Sequence, residues 1–121
     1  MAFPIITYKH TNTHPDEELQ NVVEQKLRSL EKYIGSETDI KCAIEMEKTG
    51  GKQTGLTHRV EANFWLAGTL YRAEATEESF EKAIDEVRDE LDKEVRRAHK
   101  KRNSLLKKGG RKIKDMMRFG Q

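Results

Sequence analysis

The sequence predicts a single α+β domain with the element order β-α-β-β-β-α, in which four strands form one sheet and two helices pack on one face of it. Two long stretches repeat apolar residues every three or four positions, and four shorter ones alternate apolar with polar residues. The length of 121 residues suits one domain with a modest core. We expect the domain to span residues 1–108 and a basic, disordered tail to span residues 109–121.

The first strand is predicted over residues 5–10, which alternate and are rich in β-branched and aromatic residues. A helix start follows, where Thr13 or His14 can cap and Pro15 can occupy the first turn. The apolar residues that then recur at helical spacing are Leu19, Val22, Val23, Leu27, Leu30 and Ile34. They predict one amphipathic helix of about five turns, which Gly35 can end in a left-handed conformation.

Three further strands are predicted where the period changes to two. They run from Ile40 to Glu47, from Val60 to Leu66 and from Tyr71 to Ala75. The break at residues 67–69 predicts a hairpin between the last two strands. We expect the four strands to form an antiparallel sheet with one buried face.

The closing helix is predicted to begin near Thr76–Ser79, where a cap and acidic residues occur together. At about 100° per residue, one narrow stripe collects Phe80, Ile84, Val87, Leu91, Val95 and Ala98. Lys82, Lys93, Arg96, Arg97 and Lys100 cluster on the opposite side. We therefore expect the apolar stripe to pack on the sheet and the basic side to face solvent.

The net charge of +2 hides a strong asymmetry along the chain. Residues 1–92 hold 11 Lys and Arg against 19 Asp and Glu, a balance of −8. Residues 93–121 hold 12 Lys and Arg against 2 Asp and Glu, a balance of +10. A basic block on an acidic body indicates a polyanionic partner, most often a nucleic acid.

The sequence offers little material for catalysis. Cys42 is the only cysteine and lies in an apolar alternating run, so we expect a buried, unreactive thiol in a reducing compartment. His10 and His14 have no further ligands at the usual spacing for a metal site. The glycine pairs at 50–51 and 109–110 match neither the phosphate-loop nor the dinucleotide pattern. We expect no enzymatic activity, cofactor, metal or small-molecule substrate.

No apolar segment is long enough to span a bilayer, and the N-terminus does not resemble a signal peptide. We therefore expect a cytoplasmic protein without a membrane partner. RNA is favoured over DNA as the polyanion, because small α+β domains of the double-stranded RNA-binding kind also hold the backbone through helix-borne lysines. Two other classes stay open, a generic double-stranded RNA-binding module and a protein-interaction module whose acidic body docks a basic partner.

Four segments, in this order and spacing, resemble the ribosome hibernation-promoting factors and ribosome-associated translation inhibitors, also labelled sigma-factor modulation proteins. They are TYKH at residues 7–10, VVEQKLRSLEKY at 22–33, HRVEANFWLAGTLYRAEA at 58–75 and FEKAID at 80–85. The resemblance extends from Ile5 to about Lys101.

The resemblance implies a domain that lodges between the head and body of the small ribosomal subunit, in the channel used by messenger and transfer RNA. It implies a translation inhibitor that stabilises idle ribosomes in stationary phase or stress, and we expect it to act as a monomer. The positions that match the family's ribosomal RNA contacts are Lys9, His10, Lys26, Lys32, Arg59, Lys82, Lys93, Arg96, Arg97, Lys100 and Lys101. For Lys26 and Lys32, an equally good interpretation is that they are solvated residues at the rim of a helix and make no RNA contact.

The chain departs from the family pattern in two respects. Glu81 and Glu90 place acids in the first half of the closing helix, so that half is expected to contribute less to RNA binding. Long family members carry a C-terminal dimerisation domain, and in its place we expect only the short basic tail. Two outcomes are compatible with the resemblance, promotion of ribosome dimers and inactivation of single ribosomes.

Overall fold

The computed structural model describes residues 3–50 and 55–107, with side chains described as far as Lys101. The elements are β1 (Ile6–Thr11), α1 (Glu17–Leu27), a 3₁₀ helix (Arg28–Tyr33), β2 (Ile40–Lys48), β3 (His58–Leu66), β4 (Thr69–Glu77) and α2 (Phe80–Lys107). This confirms the predicted α+β class, the βαβββα order and the two helices. The tail predicted for residues 109–121 lies outside the described residues.

The four strands form one sheet in the order β1-β2-β3-β4. The pairs β2–β3 and β3–β4 are antiparallel, but β1 pairs with β2 in parallel. The prediction of a wholly antiparallel sheet was therefore wrong, and the sheet is mixed. The reason is the crossover through α1 and the 3₁₀ helix, which returns the chain to the end of the sheet where β1 began.

The start of α1 differs from the prediction by two or three residues. Asp16, rather than Thr13 or His14, is the N-cap, and its carboxylate accepts a hydrogen bond of 2.8 Å from the Leu19 amide. Pro15 precedes this cap instead of occupying the first turn. An ionised carboxylate is a stronger acceptor for the helix amides than the Thr13 hydroxyl, and it also interacts favourably with the helix dipole.

The predicted five-turn helix is divided into α1 and the tighter 3₁₀ helix that follows it directly. Leu27, Leu30 and Ile34 are all buried, so the apolar spacing that predicted a single helix still marks the face that packs on the core. Gly35 has a positive φ of 57°, the left-handed conformation expected of a residue that ends a helix.

The hydrophobic core lies between the helices and one face of the sheet. One cross-strand row aligns Ile6, Cys42, Phe64 and Tyr71, and the pattern repeats along the strands with alternate residues facing the helices. Phe3 stacks on Phe64 at a ring-centroid distance of 6.0 Å. The predicted alternation of the strands is confirmed, because these core-facing positions are the buried ones.

The β3–β4 hairpin closes through Ala67 and Gly68, which have φ values of 50° and 87°. Two consecutive positive φ values are typical of the tight turn whose twist matches that of the flanking strands. The Ala67 amide also donates to the Asp39 carbonyl at 2.9 Å, which ties the turn to the chain segment entering β2.

The apolar stripe predicted for the closing helix is the face of α2 that packs on the sheet. Ile84, Val87, Leu91 and Val95 are buried, and Phe80 and Ala98 lie half-buried at the two ends of the stripe. The Ser79 hydroxyl accepts a hydrogen bond from the Lys82 amide at 3.2 Å, as expected for a cap at this position. This packing turns the opposite, charged side of α2 towards solvent.

Cys42 is buried in β2, where removal from water raises the pKa of its thiol to about 12. At pH 8 only about one thiol in ten thousand would then be ionised, and the thiolate is the reactive form. We expect the native protein to react with iodoacetamide at least about a hundredfold more slowly than the protein unfolded in urea. Mass spectrometry of the alkylated chain measures both rates, and equal rates would contradict the burial of Cys42.

Candidate nucleic-acid interface

The exposed side of α2 changes sign along its length. Residues 81–92 contain six acidic and two basic side chains, whereas residues 93–101 contain five basic side chains and one acidic. Because the helix rises about 1.5 Å per residue, the five cations lie within about 12 Å along its axis. The C-terminal half of the described helix therefore presents a compact positive surface, and the half before it presents a negative one.

This positive surface, here named the basic end of α2, consists of Lys93, Arg96, Arg97, Lys100 and Lys101. All five side chains are exposed, and they lie opposite or beside the apolar stripe that contains Leu91 and Val95. Lys93, Lys100 and Lys101 make no ion pair with any side chain that the structure describes.

The two arginines of the basic end have weak partners. Arg96 lies 3.7 Å from Asp92 and Arg97 lies 3.3 Å from Glu94, and each arginine side chain remains 64% exposed. Exposed pairs at such distances contribute little to stability and are easily exchanged for another anion. Both guanidinium groups are therefore available to a phosphate, which they can bind through two parallel hydrogen bonds.

The predicted cations of α1 and the 3₁₀ helix differ in how closely an acidic side chain pairs with them. Lys26 donates to Asp85 of α2 at 2.7 Å and its side chain is only 26% exposed. Lys32, in the 3₁₀ helix, lies 3.7 Å from Asp92 and is 63% exposed. Lys32 and Arg96 thus share the Asp92 carboxylate, so Lys32 extends the basic end of α2 across to the neighbouring helix.

Arg59 lies on the open face of the sheet, away from α2, within a cluster of four glutamates. Its guanidinium contacts Glu45 at 3.2 Å, Glu47 at 3.3 Å and Glu61 at 2.7 Å, and it also pairs with Glu74. Burial lowers the pKa of Arg59, but the hydrogen bonds to Glu74, Glu45 and Glu61 outweigh it and raise this pKa above its usual value. The cluster is held together by the cross-strand register, which places Glu47 beside Arg59 and Glu45 beside Glu61.

The remaining predicted residues lie near the rim of the domain. Lys9 is 3.6 Å from Glu45 at the edge of the Arg59 cluster, and its side chain is 79% exposed. Lys82 pairs with Glu78 at 3.1 Å, and the hydrogen bond to that carboxylate raises the pKa of Lys82. His10 packs against His14 with ring centroids 4.9 Å apart. Contact with RNA stays a prediction for these residues, as it does for every predicted contact.

Reasoning from sequence identified the cations but missed Asp92, which organises the junction between the 3₁₀ helix and α2. Its carboxylate accepts a 3.0 Å hydrogen bond from the Tyr33 hydroxyl and lies near Lys32 and Arg96. The i,i+4 spacing of Asp92 and Arg96 was visible in the sequence. The contacts to Tyr33 and Lys32 were not, because they join residues about 60 positions apart.

Within residues 3–50 and 55–101, no group of three or more histidine, cysteine, aspartate or glutamate side chains is arranged to hold a metal ion. In the same ranges, no helix is both long and apolar enough to cross a membrane.

Removing the Arg59 guanidinium is expected to destabilise the domain at neutral pH. Hydrogen bonding to Arg59 lowers the pKa of Glu45 in the folded state, so its stabilising contribution is present near neutral pH and is lost as the pH falls through the folded pKa. Arg59→Gln should cost about 1 to 2 kcal/mol at pH 7, because four carboxylates lose their shared cation. Urea denaturation of both proteins at pH 7 and pH 4 measures the cost, which should shrink at pH 4. A difference that grows on acidification would contradict this account.

The architecture is a small βαβββα domain with one strongly basic helix end, and comparison with known proteins gives its family. The family described as Sigma 54 modulation protein / S30EA ribosomal protein matches residues 5–103. The chain belongs to this family.

Individual relatives agree with this assignment. The chain is 30% identical over 88 residues to a protein of Pseudomonas putida named ribosome hibernation promoting factor, covering 73% of this chain and 79% of the relative. The crystal structure of the N-terminal domain of Protein Y from Thermus thermophilus superposes with a TM-score of 0.67 at 25% identity, covering 78% of this chain and 98% of that domain.

A ribosomal subunit interface protein from Coxiella burnetii has the same fold, with a TM-score of 0.61 at 18% identity. The match covers 78% of this chain and 96% of that protein.

Proposed function

We propose that this protein binds the small ribosomal subunit through its ribosomal RNA and inhibits translation by occupying the channel of messenger and transfer RNA. It thereby stabilises idle ribosomes in stationary phase or stress. The observation that carries the proposal is the exposed basic end of α2 on a domain of this family. The names of the relatives in Pseudomonas putida and Coxiella burnetii, which refer to ribosome hibernation and to the subunit interface, support the same conclusion.

The electrostatics of α2 supply the binding energy in this proposal. Five exposed cations within about 12 Å repel one another, and RNA phosphates relieve that repulsion while releasing counterions. Lys32 adds a sixth cation at the side of Arg96. We therefore propose these six residues as the principal phosphate contacts, with Lys9 and His10 at the rim.

Lys26, Lys82 and Arg59 have a different role in this proposal. Lys26 links α1 to α2 through Asp85, and Arg59 holds together four glutamates of the sheet. The Lys26 side chain is 26% exposed and the Arg59 side chain 20%, so moving either cation to a phosphate would break short hydrogen bonds of partly buried groups, which costs more than breaking an exposed pair. Lys26 and Arg59 are therefore expected to stabilise the domain and to contribute little to RNA affinity. Lys82 is also expected to contribute little, because it lies in the acidic half of α2 beside Glu78.

Inhibition in this proposal is stoichiometric, because the protein acts by filling space. Inhibition of translation in vitro should therefore saturate near one protein per ribosome and reverse when initiation factors compete for the channel. With six phosphate contacts, the logarithm of affinity should fall by about 4 to 5 per tenfold increase in salt. Full inhibition at a small fraction of one protein per ribosome, or cleaved ribosomal RNA after incubation, would reject occupancy.

Sedimentation of a stationary-phase lysate through a sucrose gradient tests the proposal directly. The protein should migrate with assembled ribosomes at low salt and return to the top of the gradient at high salt. Naked duplex RNA, added before centrifugation at the same nucleotide concentration as the ribosomes, provides the comparison with a generic double-stranded RNA binder. Displacement of the protein by duplex RNA at the same nucleotide concentration as the ribosomes would favour that alternative.

A further inference from the structure

A pocket of about 290 Å³ opens between the 3₁₀ helix, the β3–β4 turn and the second half of α2. Its walls include the rings of Tyr33, Tyr71 and His99 and the small side chains of Ala67 and Ala98. Ligand pockets for larger molecules commonly run from about 300 to 1,000 Å³. The volume of this pocket, which we name the Tyr33 pocket, lies just below that range. The pocket therefore has room for one flat ring system and not for a larger ligand.

The aromatic side chains of the Tyr33 pocket offer a stacking surface in which one ring is held by a hydrogen bond and another is exposed. The rings of Tyr33 and His99 have centroids 6.0 Å apart and planes inclined at 57°, so they converge without covering one another's faces. The Tyr33 hydroxyl donates to Asp92 at 3.0 Å, which fixes the orientation of that ring. His99 is exposed and can adjust to a bound group.

The Tyr33 pocket adjoins the basic end of α2. Lys32 lines the pocket and places its ammonium 5.2 Å from the centroid of the Tyr33 ring. Arg96 shares Asp92 with Tyr33, and Lys100 directly follows His99 in the helix. A phosphate held by Lys32, Arg96 or Lys100 would place the base of the same or the next nucleotide near the mouth of the pocket.

We infer that the Tyr33 pocket receives one unpaired nucleobase of the RNA whose phosphates the basic end of α2 binds. Unpaired bases are favoured because the faces of a paired base are covered by its neighbours in the stack, whereas a splayed base can stack on an aromatic side chain. This inference rests on the proposed function and adds to it a contact with a base. It also gives the domain a means of distinguishing folded ribosomal RNA from a uniform duplex.

Chemical probing of ribosomes saturated with the protein tests the inference. Hydroxyl radicals report protection of the RNA backbone, and base-specific reagents report protection of unpaired bases. The wild-type protein should protect a backbone segment and, within or beside it, one base whose reactivity falls at least about threefold. His99→Ala and Tyr33→Leu should restore the reactivity of that base and leave the backbone protection in place.

Tyr33→Phe is the matched control, because it keeps the ring and removes only the hydroxyl, and it should retain protection of the base. Loss of the stacking of one base on an aromatic side chain should lower affinity about 5- to 160-fold in the two disruptive variants, so all probing is done at saturating protein.

A backbone footprint accompanied by the same base reactivities in the wild type, His99→Ala and Tyr33→Leu would overturn the pocket and leave the proposed function intact. Since His99 is exposed, His99→Ala keeps this outcome readable even if Tyr33→Leu fails to fold. The absence of any backbone footprint with the wild type would instead overturn the proposed function, and the inference with it.

Discussion

Replacing Arg96 and Lys100 together by glutamate is expected to weaken ribosome binding at least about tenfold at physiological salt. The two residues are one helical turn apart, and each change both removes a phosphate contact and adds a charge that RNA repels. The slope of log affinity against log salt should become shallower by at least about 1.4, which corresponds to two lost contacts. Both side chains are exposed, so the thermal midpoint should hardly move. Pelleting with purified ribosomes at three salt concentrations measures affinity and slope together.

Lys82→Glu is the matched control for this experiment. Lys82 precedes Lys100 by 18 residues, which is five full turns, so the two lysines lie on the same side of α2. Lys82, however, belongs to the acidic half of the helix and pairs with Glu78. Its reversal should change ribosome affinity less than about threefold. The single variant Lys100→Glu is measured beside it, and equal losses for Lys82→Glu and Lys100→Glu would show that the whole helix contacts RNA. Unchanged binding of the double variant would reject the basic end of α2 as the site.

Leu91→Ala is expected to produce the largest loss of stability among single changes in α2. The Leu91 side chain is fully buried at the centre of the apolar stripe. Truncation removes apolar contacts and leaves a cavity, at a cost of about 2 to 5 kcal/mol in the free energy of unfolding. Urea denaturation monitored by circular dichroism measures this loss.

Leu70→Ala provides the corresponding control, because Leu70 is 50% exposed on the open face of the sheet. The same chemical change there should cost less than about 0.5 kcal/mol. A small loss for Leu91→Ala, or similar losses for both variants, would mean that α2 is rotated relative to the sheet. Ribosome binding by Leu91→Ala, measured well below its unfolding temperature, should remain close to that of the wild type.

The periodicity of the sequence was sufficient to predict the elements and the faces that they bury. Residues 40–47 and 60–66 alternate so regularly that a shift of their pairing by one residue would turn either Ile44 or Phe64 to the open face of the sheet. The apolar stripe of α2 likewise follows from spacing alone. Such patterns can be seen within a single element. Burying an apolar face is favourable whichever neighbour covers it, so the face can be predicted without knowing the topology.

The direction of β1 and the partners of the charged residues could not be predicted in the same way. An edge strand has the same alternation whether its neighbour is parallel or antiparallel, so the pattern of β1 itself gave no signal of its direction. The helix predicted between β1 and β2 was the feature that indicated a parallel pair. Lys26 meets Asp85 and Arg59 meets Glu45 only after the chain has folded. The list of RNA contacts predicted from the sequence therefore included cations that are held in ion pairs. The structure separates these from the exposed cations at the basic end of α2.

The change of sign along α2 also makes the molecule an electric dipole. Its positive pole lies at the C-terminal half of the helix, and the centre of the acidic half lies about three helical turns away. In the field of a polyanion such a dipole experiences a torque, which turns the basic end forward before any contact is made and repels approaches led by the acidic half. The acidic residues of α2 would thus set the orientation of the encounter and its rate, and added salt would slow association by screening this field.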